Sequence, residues 1–397
     1  MTTHAAGAAS LLRSRTGDHH GRVGFVELFF DLVFVFAVTQ ISHLLLAHPD
    51  LQHALQSALL LLALWIVWMW TTWATNWLDC DRAETRLMMF ALMGGGLVLA
   101  AAIPHAFGER GLVFAMAYVA IQNGRTAFLV HALKQGATNE RRNFQRVQLW
   151  LLVSSALWIA GGLADPSVRW AFWLGALFIE IASPLWGFAT PHMGASTPDD
   201  WRVDPDHMAE RCGLFMIIAL GESVILIGAT FAGADVWDAA HVNALAGAFV
   251  GAVAMWWIYF ATIAEEAHEK FAAQENPGAL ARTAYTYAHI PMVAGIVLAA
   301  VGNEMLLAHP TGHIEPATIA IVAGGPALFL LGSLWFYWIF CDQPPLSHIV
   351  GLLLLGGSVF AAPLIEPAWF GALTSAVLVL VGAWETLDWT RPHAHHA

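Results

Sequence analysis

The chain has 397 residues, 58% of them hydrophobic and 12% charged, with a formal net charge of −12 and a mean hydropathy of +0.61. A soluble domain carries about 25% charged residues, so half the expected charge is missing along the whole length. That deficit excludes a soluble enzyme domain, and the acidic balance excludes nucleic acid, whose recognition needs a basic stripe.

The first twenty residues lack a long apolar run and do not read as a cleavable signal peptide, so the first span acts as its own insertion signal. Apolar runs of spanning length then recur at residues 24–47, 54–78, 86–107, 111–133, 145–164 and 168–190. After a polar break they resume at 208–233, 242–264, 281–302, 316–341, 346–364 and 367–387. Each is long enough at 1.5 Å per residue to cross a hydrocarbon core about 30 Å thick. The predicted fold is an all-α integral membrane protein of about twelve helices. Gly324-Gly325-Pro326 threatens the tenth span, and the eleventh is short. The nineteen Trp are expected at the headgroup boundary. Cys80, Cys212 and Cys341 match no zinc or redox spacing and read as structural.

Basic residues orient the chain. With both termini in the cytoplasm, Arg13, Arg15, Arg22, Arg82, Arg86, Lys134, Arg141, Arg142, Arg146, Arg202, Arg211, Lys270, Arg282 and Arg391 fall on the cytoplasmic side. Only Arg110 and Arg169 fall outside, and Arg125 lies within a span. This is the asymmetry of the positive-inside rule. The organisation expected is a cytoplasmic tail at 1–23, a six-helix unit at 24–190, a cytoplasmic connection at 191–207, a second six-helix unit at 208–387 and a cytoplasmic tail at 388–397. The halves are alike: Glu27 and Glu210 open spans 1 and 7, and GLVLAAA from Gly96 matches GIVLAAV from Gly295. Six intervening spans make them parallel repeats, an arrangement common in transport proteins, whose site lies where the halves meet.

Charge in hydrocarbon costs roughly 2.5–3.5 kcal/mol by insertion measurements, so each instance wants a reason. In span 1, Glu27, Asp31, Thr39 and His43 are spaced by four or eight and form one winding polar stripe. Phe29, Phe30, Phe34 and Phe36 occupy other angles. Span 7 carries His207, Glu210 and Arg211 at its start and Glu222 twelve residues on, beside Gly221, which would admit a close neighbour. Glu180 lies in span 6, Gln122, Asn123 and Arg125 in span 4, and His289 in span 9. Arg125 is a counter-charge for Asp31, Glu180 or Glu222. Pairing for helix register is the bland explanation of these residues, and ion or proton movement the functional one. The candidate pathway is Glu27, Asp31, Thr39, His43, Arg125, Glu180, Glu210, Arg211 and Glu222. His207, near the interface, reads as a cap or surface residue.

Phosphate-loop, dinucleotide, zinc-protease and nucleophile-elbow motifs are absent, so neither an enzyme nor a cofactor nor a metal site is expected. VELFFDLVFVFAVTQISHLL (residues 26–45), HMAERCGLFMIIALGESVI (207–225) and the IEIASPLWG region (179–187) resemble the bacterial low temperature requirement protein A family, LtrA. The resemblance runs from about Gly24 to Trp389 and implies a multi-pass protein of the bacterial cell membrane, linked by the family's name to growth in the cold. It implies no settled substrate. Glu27 to Thr39 is also similar to the first helix of the six-helix-repeat potassium channels of lysosomes and bacteria, with Phe30 and Leu32 departing from the Ser and Gly of that pattern.

The leading expectation is a channel or carrier for a small ion or solute. Its rivals are a membrane-embedded enzyme acting on lipid-linked substrates, with His207, Glu210 or His289 as acid–base groups, and a structural or sensory protein for the cold. The partners implied are the lipid bilayer and a small cation, proton or solute, with no nucleic acid; assembly into a homo-oligomer is left open. A topology reporter fused after His396 should be active only on the cytoplasmic side, and activity confined to the outside would overturn the orientation.

Overall fold

The computed structural model describes residues 10–13, 22–135, 138–197, 200–201, 203–263, 280, 282–340 and 344–389. Among them are twelve α-helices: α1 Phe25–Ala47, α2 Leu51–Trp77, α3 Ala83–Ala102, α4 Gly111–Ala132, α5 Thr138–Leu163, α6 Pro166–Ala182, α7 Pro205–Ala232, α8 Ala239–Ile258, α9 His289–Ala308, α10 Pro316–Phe340, α11 Leu346–Ala361 and α12 Pro367–Trp389. The described residues form no strand, only the isolated bridges Leu12 to Leu78 and Thr190 to Gly194. Eleven of the helices, some with a 3₁₀ or π turn at one end, are long and apolar enough to cross a membrane. The chain is an all-α multi-pass membrane protein. The sixth is the exception: α6 has 17 residues and ends at Ala182, where Ser183-Pro184 begins a turn, so the predicted span 168–190 is cut short. Pro326 sits inside α10 without interrupting it.

Local chemistry sets several boundaries. Asp50, just ahead of α2, accepts the backbone N–H of His53 at 2.9 Å and pairs with its ring Nδ1 at 2.8 Å. Asp238 caps α8 in the same way, accepting from Ala240 and His241 N–H and pairing with His241 Nδ1 at 2.8 Å. In both, the His backbone N–H leads in holding the carboxyl below its ordinary range. Satisfying the free N–H groups of a helix start is what Asp does best. At α7, Asp204 Oδ1 accepts from Asp206 N and His207 N, and Pro205 occupies the first helical position, which has no need of an N–H.

The described residues group into two compact units. The first comprises those within Met1–Ala37 and Leu62–Arg211. There α3 packs on α4, α4 on α5 and α5 on α6. Its core is aromatic: Tyr118 and Trp158 ring centres lie 4.2 Å apart, and Trp158 and Trp173 5.3 Å apart. Trp201 packs against Trp73 and Phe144. Trp68, Trp158 and Trp173 are fully buried, so these indoles are core rather than headgroup anchors, a correction to the composition argument. Phe30 and Phe34 are buried and Phe29 and Phe36 exposed, which divides the aromatic face of α1 between packing and lipid.

The second unit comprises the described residues within Val38–Leu61 and Cys212–Ala397. Here α9 packs on α10, α8 on α12, and α11 on both α10 and α12. Small residues make the contact between α9 and α10. A Cβ on Gly325 would lie 2.5 Å from the backbone nitrogen of Ala299, so α9 and α10 approach through bare backbone. Apolar side chains including Ile225, Phe249, Trp338, Leu353 and Phe360 remain exposed on the outer surface, where hydrocarbon is their solvent. Cys80 and Cys212 are buried and in no disulfide among the described residues, and burial pushes the Cys80 thiol well up; Cys341 lies outside the described residues.

A Cβ on Gly221 would meet nothing within 4 Å among the described residues; the glycine borders a shallow apolar groove with Ile217, Val224, Ala252 and Trp256. The close neighbour expected there is absent from the described residues. Gly325→Ala should therefore lower stability by about 1–3 kcal/mol through overpacking, whereas Gly221→Ala should leave it equal or higher by up to about 1 kcal/mol through helix propensity. Thermal unfolding in detergent compares the two, and equal losses would contradict the packing described.

Candidate functional site

The polar residues of the first unit form two buried groups. In one, Arg211 of α7 grips Asp31 of α1 as a fork, Nη1 to Oδ2 and Nη2 to Oδ1 each at 2.7 Å. Asp31 Oδ1 also accepts the indole N–H of Trp68 at 2.7 Å, and the guanidinium lies over that indole, 5.3 Å from the ring centre. One turn earlier, Glu27 Oε1 is 2.9 Å from His207 Nε2. His207 Nδ1 is 3.2 Å from Asn76 Nδ2; since an amide nitrogen only donates, Nδ1 accepts and Nε2–H points at Glu27. Asn76 also grips the Asp204 backbone, donating to its carbonyl and accepting its N–H, both at 2.9 Å. The same amide therefore fixes the start of α7 and the tautomer of His207.

Glu27 Oε2 accepts from Gly24 N–H at 2.8 Å and faces Arg13 at 3.4 Å. Arg13 is held there because Leu12 bridges to Leu78 at the end of α2 and Arg13 N–H bonds Trp77 O. Asp31, Glu27, His207 and Arg211 are all completely buried. Two carboxylates thus meet two guanidiniums, and the charge closes to zero. The successive pairs Glu27–His207 and Asp31–Arg211 show the two helix starts running in the same direction. Glu210 is exposed, accepting Val23 N–H at 3.1 Å.

Two expectations are corrected here. His207 is a buried partner of Glu27 rather than a surface residue. The counter-ion of Asp31 is Arg211, not Arg125.

The second group surrounds Glu180 of α6. Its Oε2 accepts from Tyr118 at 2.6 Å and Gln122 at 2.9 Å, and its Oε1 from Ser154 at 2.8 Å and Trp158 at 2.9 Å. Four neutral donors occupy the carboxylate. Arg125 reaches it only through Gln122, donating to that amide oxygen at 2.6 Å and also to Val67 O at 3.2 Å. No carboxylate pairs directly with Arg125 among the described residues.

The second unit treats its acids differently. Glu222 of α7 is buried, and its one hydrogen bond among the described residues comes from the hydroxyl of Thr39 on α1. No Lys, Arg or His among the described residues pairs with it. His43, expected on the same stripe, is exposed; it lies within electrostatic reach of Glu304 on α9.

Several polar residues here were not singled out from sequence: Trp68, Asn76, Tyr118, Ser154 and Trp158 as donors, and Glu304 and Glu385 as acids. Glu385 of α12 accepts from Ser347 and from Tyr337 at 3.3 Å, with His348 Nδ1 at 3.5 Å. The donors carry no charge to flag them. Glu304 and Glu385 stand at span ends, where the charge argument is weakest. His289 bonds the Ala284 carbonyl through Nδ1 and the Tyr259 hydroxyl through Nε2, each at 2.9 Å. No three His, Cys, Asp or Glu side chains among the described residues converge as metal ligands do.

Residues 22–383 match the family described as bacterial low temperature requirement A protein (LtrA). The chain belongs to the LtrA family. A protein of Rhizobium meliloti (strain 1021), described only as uncharacterized, is 39% identical over 366 residues, 92% of this chain and 89% of its own length. No solved structure matches. Within this LtrA protein, removing one member of a buried, hydrogen-bonded pair strands the other. Arg211→Met should therefore cost about 3–5 kcal/mol of stability, and pairing it with Asp31→Leu should recover part of that loss. Denaturant unfolding in detergent measures both, and strictly additive losses would contradict the pairing.

Proposed function

We propose that this LtrA protein moves a small cation or proton across the membrane, with Glu222 as the carboxylate that loads and unloads it. The observation that carries this reading is the contrast among the buried acids. Glu27 and Asp31 face cations and Glu180 has four donors, but Glu222 has one hydroxyl. An ionised carboxylate so poorly compensated in a membrane-spanning helix favours a proton or a cation.

The occupation of both ring nitrogens in His207 and in His289 favours transport over the acid–base enzyme reading, since neither ring has a free nitrogen for a substrate. Matching Asp-x-x-His caps at the starts of α2 and α8 support parallel repeats at 24–190 and 208–387, as does the shared direction of the starts of α1 and α7 within the first unit. The basic-residue asymmetry supports cytoplasmic termini in the bacterial cell membrane, and the family description supports a role in growth at low temperature.

Glu222→Gln keeps shape and removes the exchangeable charge. Proteoliposomes carrying this variant should lose cation or proton flux by about a hundredfold, roughly the loss of one essential proton-transfer group, while the melting temperature stays near that of the wild type. Undiminished flux would defeat the assignment, and a collapse in melting temperature would make Glu222 a structural pin.

A further inference from the structure

The second unit contains a cavity of about 580 Å³ at the C-terminal ends of α1, α7 and α9 and the start of α10. Leu46 and Thr230 line it. They lie seven residues past Thr39 and eight past Glu222, roughly two helical turns or about 10–12 Å. Glu304 forms its wall, with His309, His313 and Glu315 at the connection between α9 and α10. One oxygen of Glu304, Oε2, is shut away from solvent and has no hydrogen-bond partner among the described residues. A buried acceptor left unpaired is costly, and more so on a charged group.

The wall is otherwise largely apolar, from Leu46, Met305, Leu306, Ile314 and Pro367. Its volume falls within the range of small-molecule pockets and far exceeds what a bare ion occupies. The absence of three converging ligands among the described residues argues against a chelated metal. An acidic wall and an apolar floor together complement a positively charged nitrogen on a short hydrocarbon body.

We propose that this cavity binds a small organic cation, an alkylammonium or alkylguanidinium, with Glu304 as the anchoring carboxylate. Binding stands on the cavity alone. Its role as the vestibule that delivers the cation toward Glu222 rests on the transport reading.

The test titrates n-butylammonium and N-butylguanidinium into the full-length protein in detergent, with potassium as the comparison, reading affinity by calorimetry and thermal shift. Wild type should bind the organic cations and show no comparable response to potassium. Glu304→Gln should weaken binding by roughly 10- to 100-fold, the worth of one charge-assisted hydrogen bond. Leu46→Trp, which fills the cavity and leaves the charge intact, should weaken it likewise; unliganded melting curves check that both variants fold. Wild type that does not bind, equal binding of potassium, or variants that bind as wild type does would each overturn the proposal. In proteoliposomes, Glu304→Gln should raise the half-saturating concentration and keep the maximal rate, whereas Glu222→Gln should abolish the rate and keep the binding. Binding that depends on Glu304 without any wild-type flux would uphold the site and sink the transport reading.

Discussion

A charge placed in hydrocarbon must be matched, and the Asp31–Arg211 fork is where this protein meets that demand most fully. In a low-dielectric interior a lone carboxylate or guanidinium carries a desolvation penalty of several kcal/mol, and attraction offsets it only when geometry and the remaining hydrogen bonds are both satisfied. The planar guanidinium supplies two parallel bonds to Asp31, and Trp68 supplies a third donor and an aromatic face for the cation. Such an arrangement fixes more than energy. It sets the rotation of α1 against α7 within the first unit, since either helix turned by one residue would carry its charge away from the partner. Asn76 then ties the end of α2 to the same place through Asp204 and His207.

The helices were legible because hydropathy alone decides what can sit in lipid, and all eleven long spans coincide with apolar runs. Short-range chemistry went unread even where it has a local signature: Asp204-Pro205 starts a helix because of what those two side chains can and cannot donate, yet the seventh run was placed at 208–233. The acids deep inside spans were readable too, since each is an exception to an otherwise apolar pattern, whereas Glu304 and Glu385 near helix ends were not. Pairing was not. Arg125 has three candidate acids in the sequence, and the choice depends on which helix faces which. Gln122, one turn before it on the same helix, intervenes between Arg125 and Glu180. The neutral donors were invisible for a different reason. Trp68 and Trp158 are two of nineteen Trp, and an indole N–H bonding a carboxylate looks in sequence like one more apolar side chain.

The two units answer the membrane in different ways. The first is held by aromatic packing and by buried carboxylates, Glu27, Asp31 and Glu180, whose oxygens all find donors. Glu180 shows this without any cation in contact, because four neutral donors spread the charge over Tyr118, Gln122, Ser154 and Trp158. Networks in which every member is satisfied are stiff, since moving one group leaves others unpaired in a low dielectric. The second unit adds Gly and Ala contacts between α9 and α10, where backbone meets backbone, and two of its acids, Glu222 and Glu304, are sparsely compensated.

That difference gives the sparse acids their meaning. Were the protein poor at matching charge throughout, Glu222 with one hydroxyl and Glu304 with an orphaned oxygen would be unremarkable. The first unit shows that the same chain places Arg, His, Trp, Tyr and Gln donors around buried carboxylates with short, well-directed bonds. A register pin needs that treatment, because its whole use is to stay paired. A group that must bind and release a mobile charge needs the opposite, since permanent partners would hold its affinity for the resident proton or cation too far from balance. Thr39 suits such a role: a hydroxyl can donate to a carboxylate or turn to accept from a protonated one, so it accommodates Glu222 in either state. The cavity around Glu304 has the same property on a larger scale, with an apolar floor that cannot compete for the charge and a carboxylate, Glu304, with an unpaired oxygen to hold it.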